Sequence, residues 1–217
     1  MLKILTLVRL MLHEYYLRTF CVLELLVAFL AFTFSDPAQD LNLFQAQLTL
    51  MFSLTGVLLA SRLSSRFKGS IPRILRAELG TPAISLAQNL AVTLLTTTLY
   101  LPMVLRYSLQ SHTFPASLPL LVLTAFLCTN LYSLLLYRSH LSLNRGARTI
   151  NSTFGLSVLL ILGSYFLGGQ SVAGQLLPFY PGDVTQLVVA IPKTLLYSAL
   201  VLWGVQWTIR RKNILLD

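Results

Sequence analysis

With 217 residues, 55% of them hydrophobic and only 11% charged, and a mean hydropathy of +0.73, the chain lies outside the composition of soluble domains. Lys and Arg number 16 against 7 Asp and Glu, a formal charge of +9, yet apolar runs split the basic residues into short clusters rather than one stripe. A bilayer is the solvent that suits such a chain, and no nucleic-acid partner is expected.

Residues 1–15 set Leu2, Leu5, Val8 and Leu10 against Lys3, Thr6, Arg9 and His13 in a helical pattern too polar to span a bilayer. Two readings fit it: a separate helix lying in the inner interface, or an inward extension of the first span. Scanning for stretches of roughly 20 mostly apolar residues predicts six spans, near 17–35, 43–61, 83–105, 117–137, 151–168 and 187–209. The first is expected to stay in place as a helix, because Phe32, Thr33 and Phe34 precede Ser35 where a signal peptidase needs small residues. Within it lies Glu24, the one acidic residue inside a predicted span, where a charge costs roughly 2.5–3.5 kcal/mol. Either Glu24 marks a translocation path or subunit seam, or a polar neighbour neutralises or hydrogen-bonds it.

The loop from Arg62 to Pro82 is the most informative stretch. Ser70 is placed to cap a short helix whose first turn tolerates Pro72, and Gly80 ends it, leaving too few residues to cross a membrane. Ile71, Ile74, Leu75 and Leu79 form one face, with Arg73, Arg76 and Ala77 on the other. Thr81 then caps the third span with Pro82 at its first position. A rigid, basic, amphipathic helix between two spans is the expectation for 70–80.

In the later spans, Pro102 and Pro119 fall near outer helix ends, where kinks are cheap, and Asn130 is a rare amide in an apolar run. Cys21 and Cys128 sit in apolar runs without CxxC spacing and read as small packing residues. The connection at 169–186 is rich in Gly and Pro yet carries Leu176, Leu177, Phe179 and Tyr180, so it either dips into the outer leaflet or rests on it through its aromatics. Lys193 either snorkels outward or marks the true start of the last span.

Basic residues orient the whole. Lys3, Arg9 and Arg18 precede the first span, Arg62, Arg66, Lys68, Arg73 and Arg76 follow the second, Arg138, Arg145 and Arg148 the fourth, and Arg210, Arg211 and Lys212 the sixth. Asp36, Asp40 and Asp183 fall in the opposite loops, so both termini are expected in the cytoplasm of a multi-pass inner-membrane protein. Tyr15, Tyr16, Tyr137, Trp203 and Trp207 towards the inner ends, and Tyr100, Tyr107, Tyr165 and Tyr180 towards the outer ends, match aromatic belts.

Catalytic chemistry is not expected of this chain. It holds no GxxxxGK[ST] phosphate cradle, no HExxH and no GxSxG, and His13, His112 and His140 fall in unrelated places. No cofactor or metal is expected on it.

An amino-terminal interfacial helix, six spans, a short amphipathic helix after the second and an apolar Gly/Pro loop before the last together resemble the membrane subunit of a type-2 ABC exporter. The resemblance covers the whole length and rests on architecture and on the stretch from Arg62 to Ala87. It implies an all-α membrane fold in which 1–15 is the elbow helix and 70–80 the coupling helix, docked in a groove of a separate ATPase. Ile71, Arg73, Ile74, Leu75, Arg76 and Glu78 would then carry the coupling, while Glu24 and Asn130 would lie on the translocation path or at the subunit seam. ATP and Mg would sit on the partner ATPase, and a second copy or a homologous permease would complete the path, with the first, second and fifth helices near the seam. Importer permeases carry an E-A-A…G loop deeper in the sequence, a spacing that Ala77-Glu78-Leu79-Gly80 does not reproduce. Two other functions compete: a secondary carrier or channel, which needs polar residues along several spans, and a scaffold that holds partners without transport.

Overall fold

In a bilayer every backbone amide and carbonyl must be satisfied within the chain, which leaves helices as the way for apolar runs of this kind to fold. The computed structural model describes residues 2–16, 41–66, 73–111, 118–139, 147–168 and 187–212, with Leu176 and Pro178. All six elements among them are α-helices: α1 (Leu2–Tyr16), α2 (Leu41–Arg66), α3 (Arg73–Ser111), α4 (Leu118–Ser139), α5 (Ala147–Gly168) and α6 (Leu187–Lys212). The predicted span at 17–35, with Glu24 and Cys21, lies outside the described residues.

Three stretches are long and apolar enough to cross a membrane, Pro82–Leu101 in α3, Leu118–Arg138 in α4 and Leu187–Arg211 in α6, as expected of a membrane protein. Thr49–Ser61 in α2 and Ser152–Phe166 in α5 are shorter apolar stretches. Each helix from α2 onward runs past its predicted span at one end or both; α2 reaches Arg66 and α3 reaches Ser111. The reason is that hydrophobicity marks only the hydrocarbon layer, whereas a helix continues through the interface as long as its own hydrogen bonds are kept.

α4 is the centre of the assembly and packs against α2, α3, α5 and α6. Its Leu121, Ala125, Leu127, Cys128 and Tyr132 are buried together with Phe52, Val57 and Leu59 of α2, Val92, Leu95 and Leu99 of α3 and Ile161 of α5. Cys128 is thus the small core residue that its apolar setting predicts. Where α2 meets α4 the helices approach closely at Gly56: a Cβ there would already touch the Ala125 carbonyl oxygen, at 3.4 Å.

α1 lies on α3 and buries Leu7, Val8 and Met11 against Ile84, Ala87 and Ala91. Its other side is not purely polar, for Leu5 and Leu10 are exposed beside Arg9. The apolar residues of 1–15 therefore divide between a protein-facing stripe and an outer one, instead of forming one stripe against lipid. The aromatics divide in a similar way. Trp203 and Trp207 are exposed, as a belt requires, whereas Tyr100 and Tyr137 are buried. Tyr100 packs on Phe52, with ring centroids 4.9 Å apart, and shares a 2.7 Å hydrogen bond with the Thr55 hydroxyl.

Candidate functional site

The site is a joint between a short helical segment and a span. Residues 73–79 are helical, but Gly80 adopts φ 69°, ψ 157° and interrupts the helix before Pro82. That backbone region is essentially closed to residues bearing a Cβ, so the stop read at Gly80 has a definite conformational cause. Space is not the constraint, because the nearest atom to an added Cβ is Pro82 Cδ at 3.7 Å. Gly80→Ala is accordingly expected to cost about 1–3 kcal/mol through strain alone, read as a lowered midpoint in detergent thermal unfolding. Relaxation of the break into continuous helix would show instead as an unchanged midpoint with added helical circular dichroism.

Beyond the joint, the first three turns of the span are held from two sides. Pro82, Ser85 and Asn89, spaced i, i+3 and i+7, lie on one face. The Gln206 amide of α6 donates to the Pro82 carbonyl at 3.3 Å, while the Ser85 hydroxyl is buried with no hydrogen-bond partner among the described residues. Asn89 Nδ2 donates to Asn130 Oδ1 at 2.8 Å, and the Ser133 hydroxyl donates to Asn89 Oδ1 at 2.9 Å. Asn130 Nδ2 completes the network on the Phe126 carbonyl at 2.7 Å. Ile84, Ala87 and Ala91 repeat the same spacing on a second face, where α1 sits. The span that follows Gly80 is thus fastened to α1, α4 and α6.

Buried polar groups are expensive unless paired, and in the low-dielectric interior each satisfied bond stiffens the contact it bridges. Nine other hydroxyls are spent differently. Those of Ser53, Thr93, Thr96, Thr97, Thr98, Thr124, Ser157, Ser198 and Thr208 each donate to the carbonyl four residues earlier in their own helix, at 2.7 to 2.9 Å. Such back-bonding takes their donors out of any solute path. Among the described residues no three His, Cys, Asp or Glu side chains gather into a set that could hold a metal.

Of the residues singled out by sequence, Asn130 is fully buried and its amide is engaged on both ends within this one chain. Ile71 and Glu24 lie outside the described residues. Arg73, Ile74, Leu75, Arg76 and Glu78 are in the helical segment before Gly80, and their side chains also lie outside the described ones. The sequence reading missed Asn89, Ser133 and Gln206. One signal was available: an amide in a membrane helix needs a partner on another helix, and Asn89 is another amide in an apolar run.

At the opposite end of α6, the Tyr197 hydroxyl donates to the Leu176 carbonyl at 2.9 Å. Tyr197 lies about 21 Å along the axis from Arg211, fourteen residues at about 1.5 Å each. Were Arg211 at one boundary of a hydrocarbon layer of about 30 Å, Tyr197 would lie roughly 9 Å inside the other. On the same placement Lys193, at about 27 Å, would lie close to that boundary.

Comparison of the chain with protein-family models, with curated proteins and with solved structures finds no match.

Proposed function

We propose that this chain is the permease subunit of an ATP-driven ABC exporter, with six spans, both termini in the cytoplasm, and no catalytic site of its own. The observation that carries the reading is the joint at Gly80: a short helical segment, interrupted by a glycine-only backbone, continues into a span fastened to three other helices. A lever needs a docking segment and a stiff arm, and this arrangement supplies both. In this reading residues 70–80 are the coupling helix, with Ile71, Arg73, Ile74, Leu75, Arg76 and Glu78 against a separate ATPase that binds ATP and Mg. Residues 1–15 are the elbow helix, and its packing on Ile84, Ala87 and Ala91 steadies the arm next to the joint. Glu24 lies on the path or at the seam with a second copy or a homologous permease. Asn130 serves the path by holding α3 to α4. The loop before α6 dips into the outer leaflet, which the depth of the Tyr197 to Leu176 bond supports. A carrier or channel is disfavoured by the hydroxyls turned back on their own helices.

The test is a mild-detergent pull-down of the tagged chain with mass spectrometry of what copurifies. An equimolar protein carrying GxxxxGK[ST] is expected, and the charge reversals Arg73→Glu and Arg76→Glu together are expected to release it while leaving the unfolding midpoint unchanged. Retention of full ATPase association by the reversed variant would overturn the assigned coupling surface. If the folded chain brings down no ATPase, the exporter reading fails in favour of a carrier or scaffold.

A further inference from the structure

The last helix is much less covered by protein than the other two long spans. Leu196, Leu200, Trp203 and Trp207 are exposed along one side, Trp203 at 67% and Trp207 at 46%. The Trp203 and Trp207 rings stack at 6.5 Å with an interplanar angle of 23°, and the Arg211 guanidinium lies 4.9 Å from the Trp207 centroid. Residues 203, 207 and 211 follow one another at i, i+4 and i+8, and Arg210, also exposed, joins Trp207 at i+3. From Leu196 to Trp207 the stripe extends about 16 Å, close to one leaflet of a hydrocarbon core about 30 Å thick.

We propose that this face binds one anionic phospholipid, its phosphate on Arg210 and Arg211 and an acyl chain along Leu196, Leu200, Trp203 and Trp207. An apolar stripe of leaflet length that ends in two guanidiniums matches an amphiphile with a negative head. Guanidinium presents a planar fork that fits phosphate oxygens two at a time, and the ring beneath Arg211 holds that fork in place before the lipid arrives. Lys212 adds a third positive charge at the same end, and each basic residue at an anionic surface is worth roughly a fivefold gain in occupancy. A neutral phospholipid would meet the same apolar stripe without that gain.

The two tryptophans are the only ones in the chain and both belong to the site, so they report on it unlabelled. The chain is reconstituted in nanodiscs containing brominated phosphatidylglycerol or, in parallel, brominated phosphatidylcholine at the same mole fraction, and quenching of tryptophan fluorescence is compared. The expected result is a severalfold stronger apparent affinity for the anionic lipid, which the double variant Arg210→Gln, Arg211→Gln brings to parity. Equal quenching by both lipids in the natural chain would overturn the proposal and leave an ordinary aromatic belt. A preference that survives the double variant would overturn it as well. Absence of quenching by either lipid would show that a protein, a second copy or another subunit, covers the face instead. Phosphatidylcholine quenching that stays unchanged in the double variant verifies that its fold is intact.

Discussion

Gly56→Leu is expected to prevent stable folding. The position is buried, and even a Cβ there would stand at 3.4 Å from the Ala125 carbonyl oxygen and 3.7 Å from Thr129 Cγ2. The 3.4 Å neighbour is backbone of α4, which has no rotamer into which to retreat. Three further carbons would have to push α2 off α4, and α4 carries contacts to α3, α5 and α6 as well. Overpacking typically costs 1–3 kcal/mol and occasionally more; with backbone on the far side, we expect about 3 kcal/mol or greater. The control is Gly155→Leu on α5, where an added Cβ meets nothing within 4 Å. That change is expected to stay within about 0.5 kcal/mol. Size-exclusion profile and unfolding midpoint in the same detergent decide the matter, and equal behaviour of the two variants would refute the close packing of α2 on α4.

Asn130→Leu is expected to destabilise the chain by about 1–3 kcal/mol, the penalty for leaving a buried polar partner unpaired. The variant deprives the Asn89 amide of its acceptor while removing an otherwise satisfied group. Asn89→Leu leaves Asn130 Oδ1 and the Ser133 hydroxyl unpaired and is expected to cost a similar amount. The informative variant is the double one. With both amides gone Ser133 loses its acceptor and the Phe126 carbonyl keeps the Thr129 hydroxyl as donor, so the double change should cost less than the sum of the singles, by about 0.6–1.7 kcal/mol, the range of measured hydrogen-bond couplings between membrane helices. Strict additivity in reversible unfolding from mixed micelles would mean that the two asparagines do not act as a pair.

Where hydrophobicity or backbone conformation decides the outcome, the sequence was a good guide. The positions of α2 to α6 follow the apolar runs, and the break before the third span follows from Gly80 and Pro82. Pairings across helices were not legible. Asn89 and Asn130 are 41 residues apart and Pro82 and Gln206 are 124 apart, and no local rule joins them. Nor did the sequence show which side of each helix turns inward. α4 has no polar face turned outward, because its Thr124, Thr129, Asn130 and Ser133 are buried among the neighbouring helices, and such a helix gives periodicity little to report. Tyr100 and Tyr137 match belts by their depth along the chain, yet both are buried, and the Tyr100 hydroxyl pairs with Thr55 on another helix.

The asparagine network also bears on how the chain is made. A threonine or serine that donates to its own helix is satisfied as soon as that helix forms, and each such helix is able to leave the insertion machinery by itself. Asn89 instead makes its two side-chain bonds to Asn130 and Ser133 on α4. An amide left alone in hydrocarbon costs several kcal/mol. At about 5–20 residues per second, α3 is therefore expected to wait roughly 2–8 s for the ribosome to deliver its partner, and the two helices to enter the lipid as a hairpin. A ribosome stall placed between them should leave α3 at the protein-conducting channel, in contact with it rather than with lipid.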